Sequence, residues 1–326
     1  LLDLAALLDG GAPAPDGPLA RAGACTGRIG AWRLAAGLPP PEDGRDAWLQ
    51  TALAGFAELP VPLRRRVGPA LVETLAAAGD LDAAEQARLL LDRAPGDHGD
   101  AWRLALARLA LARGERERAD ALLAAAAGGD GPEATDALLA LGETRLLGEG
   151  PLDESLVADL AAAAYALRGT RQGERLLVAE ILGRAGRREL GAALEAVALE
   201  IEDDPTRRAD LEGALRRILE QAQAAETGAM DYAASILAHR ALVGDGPAFD
   251  AARLHVAREL AGIGLANAAT EFLKPALARG SREARMAMAE AEIAAGEPAS
   301  ALRRLEGTEG LDAAQLRARA LAAQGL

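Results

Sequence analysis

Apolar and polar positions along this chain keep a helical beat with few interruptions. From Pro62 onward, stretches of roughly 12–17 residues with apolar side chains three and four apart alternate with short turns carrying Gly, Asp or Pro. The pattern predicts helices over Leu63–Ala78, Leu81–Arg93, Asp100–Arg113, Arg116–Ala127, Pro132–Leu147 and Leu152–Arg168. It continues with Arg171–Arg184, Arg187–Glu202, Pro205–Glu226, Ala229–Val243 and Pro247–Ile263. The last are Ala266–Arg279, Ser281–Ala295, Pro298–Glu306 and Leu311–Ala323. No stretch reads as a strand, so the expected fold class is all-α. Residues 1–60 are less regular: an apolar helix at Leu1–Leu8, a Gly/Pro/Ala stretch, a helix over Leu19–Ala36, and a stiff break at Pro39–Pro41. A helix over Asp46–Leu59 then ends at Pro60. This divides the chain into an N-terminal segment, 1–60, that packs on a first repeat, and a repeat region, 61–326.

A repeat emerges when the turn glycines Gly79, Gly114, Gly186, Gly264 and Gly296 are aligned. Seven residues before each stands a compact side chain: Val72, Ala107, Ala179, Ala257 and Ala289. One place earlier is an apolar one: Leu71, Leu106, Val178, Val256 and Met288. Five residues after each glycine is a tiny residue: Ala84, Ala119, Gly191, Ala269 and Ala301. Two helices joined by a tight turn need a residue that tolerates positive φ at the joint. Where they cross closely there is room for little more than a methyl group.

The spacing approaches one or two multiples of ~34 residues, and at this point the chain resembles the tetratricopeptide-repeat family. Leu71–Pro95 (LVETLAAAGDLDAAEQARLLLDRAP), with its Gly79-Asp80 turn, and Trp102–Leu123 carry the resemblance. It covers roughly two-thirds of the chain at that period. It implies a right-handed superhelical solenoid of antiparallel helix pairs whose first helices line a concave groove. Family register puts Glu73, Arg108, Glu180, Arg258 and Glu290 on that inner face. Leu311–Leu326 then reads as a first helix and its turn without the second, so the solenoid is expected to be cut short at its C-terminal end.

Composition sharpens this picture. Ala makes up about a quarter of the residues, far above ordinary usage, while only 2% are aromatic. Acidic residues outnumber basic ones 49 to 36, a net charge of −13. That field opposes binding to phosphate backbones, so nucleic acid is not an expected partner. Lys274 is the only lysine, an arginine bias of the kind a GC-rich bacterial genome imposes. The single Cys25 cannot form an internal disulfide or a CxxC pair, and no apolar run is long enough for a membrane span.

Catalytic constellations are hard to assemble. Lys274 lies before Pro275 rather than in a phosphate-binding loop, and no serine stands in a GxSxG elbow. The histidines are His98, His239 and His255; His255 and Glu259 share a helix face but lack a third ligand. Ser281 is positioned to cap a helix. Glu202-Asp203-Asp204-Pro205 reads as an acidic helix start. Two clusters are candidate contact patches: the run Arg64-Arg65-Arg66 and the tryptophans Trp32, Trp48 and Trp102.

The resulting expectation is a noncatalytic scaffold, without metal or cofactor, that binds another protein or peptide on the groove through mixed charges. Trp48 and the Arg64–Arg66 run would form a secondary patch. An alternative is a subunit of a bacterial cell-envelope assembly working through its lateral surfaces; the start at Leu1 rather than Met slightly favours the periplasm or envelope over the cytoplasm. A minor alternative is a helical-toroid enzyme using His239 and His255.

Overall fold

The computed structural model describes residues 27–93, 99–148, 150–224, 226–244 and 246–326. The expected helix at Leu1–Leu8, Cys25 and His98 lie outside them. The described residues contain eighteen α-helices and no strand. They form two compact units, one up to Gly148 and one from Gly150 onward.

The first unit holds α1 (Arg28–Ala35), α2 (Arg45–Ala57), α3 (Val61–Ala77), α4 (Leu81–Asp92), α5 (Gly99–Ala112), α6 (Arg116–Ala127) and α7 (Ala134–Leu146). The second holds α8 (Glu154–Ala166), α9 (Arg171–Gly186), α10 (Leu190–Asp203), α11 (Arg208–Ala224), α12 (Ala229–Ala238), the one-turn α13 (Arg240–Val243) and α14 (Asp250–Gly262). It ends with α15 (Ala266–Ala278), α16 (Arg282–Ala294), α17 (Pro298–Arg304) and α18 (Leu311–Ala323). Helices pack mainly on their neighbours in the chain and on the next helix but one. Thus α3 touches α4 and α5, and α16 touches α14, α15, α17 and α18. Such sequential packing is compatible with a helical-repeat solenoid.

One turn joins successive helices in six places, among them Gly280 between α15 and α16, where Ser281 donates to the Ala276 carbonyl at 3.1 Å. After α3, α5, α14 and α16, one residue intervenes and then Gly79, Gly114, Gly264 or Gly296 adopts φ between +78° and +87°. The following residue donates its N–H back five positions: Asp80 to Leu75, Glu115 to Ala110, Leu265 to Leu260 and Glu297 to Glu292. This is the Schellman arrangement, which satisfies the terminal carbonyls of a helix. The next helix begins two residues beyond the left-handed residue every time.

In the sixth turn, after α9, the left-handed residue is not glycine. Gly186 is the last residue of α9, and Arg188 takes φ +66° while Glu189 donates to the Arg184 carbonyl at 2.9 Å. The alignment on Gly186 is therefore two residues short. With the frame moved to Arg188, the tiny residue five places on becomes Ala193 instead of Gly191. Ala84, Ala119, Ala193, Ala269 and Ala301 are then all fully buried. The compact position seven before becomes Ile181, and Val72, Ala107, Ile181, Ala257 and Ala289 are buried as well.

The N-terminal helices belong to the first unit's core. Trp32, Trp48 and Phe56 share one apolar cluster with Leu71, Leu75, Leu91 and Trp102. Gly30 makes this possible for α1 and α2, because a methyl there would come 2.8 Å from the Ala52 methyl carbon and 3.3 Å from the Trp48 ring.

Arginines tie these layers together across long stretches of chain. Arg45 donates to Asp80 at 3.1 Å and to the Ala78 carbonyl at 3.1 Å, both at the α3–α4 turn. Arg113 reaches Glu85 at 3.0 Å and the Leu81 carbonyl at 3.3 Å. Arg187 reaches the Leu152 carbonyl at 3.3 Å, and Arg145 grips Asp120 through two nitrogens at 2.8 and 2.9 Å. A forked guanidinium can meet a carboxylate and a carbonyl at once, which an ammonium does less well.

Two stability predictions follow from the turns and their contacts. Gly114→Ala should lower unfolding stability by about 1 kcal/mol, because φ at this position is left-handed. Ala119→Leu should cost about 1–3 kcal/mol by overpacking. Urea denaturation of the two variants checks both.

Candidate functional site

Residues six positions before four of the left-handed turn residues lie on the face where alternate helices meet. Glu73 on α3 forms an ion pair with Arg108 on α5. At the equivalent positions in the second unit, Arg258 on α14 stands 3.9 Å from Glu290 on α16. Four of the five predicted groove charges are thus brought together in two pairs. A shallow cavity of about 480 Å³ adjoins the first pair, lined by Gly37, Pro39, Glu73, Thr74, Ala77 and Arg108.

Glu180 is placed differently. In the corrected frame it occupies the interior position held elsewhere by Leu71 and Val256, and it is only 6% exposed. Arg184, one turn along α9, neutralises it at 2.6 Å. Leu182, itself buried, takes the position that Glu73 and Arg108 hold in the first unit.

The secondary patch is also engaged. Arg64 donates to the Leu90 carbonyl at 3.4 Å, near the C-terminus of α4, where a cation meets the negative end of the helix dipole. Arg65 is half-buried and Arg66 exposed. Trp48 is buried with Trp32 and Trp102, so all three offer packing area within the core rather than exposed anchors.

The histidines have separate settings. His239 Nε2 lies 3.7 Å from Glu195, and the His255 ring meets Tyr232 edge-on with centroids 5.3 Å apart. Tyr232 is fully buried and donates to the Leu219 carbonyl at 3.3 Å; burial pushes its phenol well above the usual value. Ser281 caps α16, accepting the Ala284 N–H at 3.2 Å. Asp204 accepts both the N–H and the hydroxyl of Thr206, which holds its carboxyl below the ordinary value. Among the described residues no three His, Cys, Asp or Glu side chains converge as a metal site, and no helix is long and apolar enough to cross a membrane.

A second cavity, of about 310 Å³, was not anticipated from the sequence. It lies between α8 and α10 over α9. Tyr165 and Leu199 line it while remaining 79% and 52% exposed. The only hint in the sequence is Tyr165 itself, one of two tyrosines in an aromatic-poor chain. Compared with known protein families, curated proteins and solved structures, the chain matches none.

Glu73 carries a pH signature. Burial raises its carboxyl above the ordinary value, Arg108 opposes this, and Asp136 and Glu133 push in the same direction as burial. The folded protein then holds that proton to higher pH than the unfolded chain does. Its stability therefore falls as pH rises from the ordinary carboxylate range to the raised value. Glu73→Gln has no proton to lose. The urea midpoint of the wild type relative to this variant should fall as pH rises above the ordinary glutamate range of about 4.3. A relative midpoint that rises instead would mean the Arg108 pair outweighs burial.

Proposed function

We propose that the chain is a noncatalytic helical-repeat scaffold that binds a segment of another protein. In this reading it is a right-handed superhelix of antiparallel, tetratricopeptide-like helix pairs, and the face lined by its first helices is concave. One observation carries the reading. The same turn recurs six times, and the residues six positions before four of these turns meet across alternate helices as Glu73–Arg108 and Arg258–Glu290.

A face built this way is rigid before a partner arrives, so binding costs the scaffold little ordering entropy. Its charges alternate in sign, which suits a polypeptide with mixed side chains more than a uniformly charged polymer. The net charge of −13 points the same way, since a nucleic-acid partner requires a cationic footprint.

Site-specific photo-crosslinking in cell extract tests the groove. A crosslinking amino acid at Arg258 or Glu290 should trap a partner polypeptide. The same amino acid at Glu271 or Lys274, exposed on α15, should not. Equal trapping from both faces, or trapping from α15 alone, would remove the groove assignment.

A further inference from the structure

The cavity over α9 has features the groove lacks. Its lining is mainly apolar, with Ala161, Ala164, Tyr165, Leu177, Ala196 and Leu199, and it also includes the carboxylate of Glu180, which Arg184 neutralises. Large apolar side chains left this exposed around a concavity mark binding surfaces, and tyrosine is among the residue types that dominate interface energetics. A volume of about 310 Å³ sits at the low end of the roughly 300–1,000 Å³ found for ligand pockets. That space suits a side chain better than a cofactor.

The charges at the mouth identify the occupant. Arg168 contacts Glu200 at 2.9 Å and Asp203 at 2.5 Å. Arg207 pairs with Glu200 and approaches Glu174 at 3.5 Å. The inner pair, Arg207 and Glu200, is 16% and 13% exposed. The outer carboxylates of Glu174 and Asp203 are 54% and 60% exposed. Both guanidiniums are therefore committed to carboxylates, and Glu200 holds the Arg168 proton more firmly still. Arg168 is itself 41% exposed, but four lining carboxylates, Glu174, Glu180, Glu200 and Asp203, outnumber the two guanidiniums, so the mouth is net negative, as the chain is. Cations are drawn to such a mouth and anions repelled.

We propose that the cavity between α8 and α10 seats an apolar side chain of a partner polypeptide whose flanking residues are Lys or Arg. The apolar side chain packs against Tyr165, Leu177 and Leu199, and the flanking cations meet Glu174 and Asp203. This surface is distinct from the face carrying Arg258 and Glu290, so a partner can be held at two places.

The probe is the peptide acetyl-Gly-Arg-Leu-Arg-Gly-amide, titrated to millimolar concentration into the full chain labelled with ¹⁵N. Amide signals between residues 161 and 207 should shift. Peptides with Glu in place of both Arg, or with Ser in place of Leu, should bind at least about tenfold more weakly. Tyr165→Ala and Leu199→Glu should each weaken the first peptide by about tenfold or more, in the range expected of interface anchors. Both side chains are largely exposed, so the variants should keep the wild-type spectrum, and Leu311→Ala, at an exposed position on α18, should bind normally.

The proposal is overturned if no peptide shifts these signals, if the Glu peptide binds as well as the Arg peptide, or if the two variants bind unchanged. A wild-type dimer that Tyr165→Ala dissolves would assign the surface to a second copy of this chain and overturn it too. Crosslinking from Arg258 is independent of all these outcomes, so failure here leaves the groove reading standing.

Discussion

A single backbone choice recurs through the architecture: at six helix ends one residue turns left-handed and the next helix starts two residues on. That residue lets the next N–H reach back five positions and closes the terminal carbonyls of the helix. Because the turn is short, the following helix starts two residues beyond the left-handed residue. Ala84, Ala119, Ala193, Ala269 and Ala301, each five residues beyond a left-handed residue, are then fully buried, as tiny side chains at a close helix contact would be.

The charges are largely spent in holding the layers. Arg45, Arg113, Arg145 and Arg187 each reach a carboxylate or carbonyl far away in sequence, and the predicted groove residues form pairs of the same kind. In an acidic chain such arginines do two things at once. They cancel part of the negative self-repulsion, and their forked geometry fixes one helix against another. Around Tyr165 and Leu199 the paired carboxylates still outnumber the guanidiniums, which leaves net negative charge at the edge of apolar surface.

The turn after α9 shows how a repeat accommodates variation. Arg188 stands where glycine stands in the other five, and the geometry is kept at a cost in backbone strain. The consequence for the site is large, because a two-residue shift turns a helix by more than half a revolution. It carries Glu180 from the expected groove face to the interior, where Arg184 must neutralise it.

The helices, the absence of strands among the described residues, four of the six turns and most of the small contact residues were legible in the sequence. These depend on local energetics: helical periodicity, the freedom of glycine at positive φ, and the size of alanine. Other features could not be read that way. Gly186 and Arg188 are both close enough to the helix end to take the turn, and local sequence favours the glycine, yet Arg188 takes it in a helix packed against α8, α10 and α11. Trp48 has the composition of an anchor, yet its burial follows from the approach of α1 at Gly30. The cavity joins side chains from three helices, and the Arg168 network bridges residues more than thirty positions apart. Sequence alone determined where the backbone bends, because bending is a property of a few adjacent residues; which side chains face one another was decided only when the helices packed.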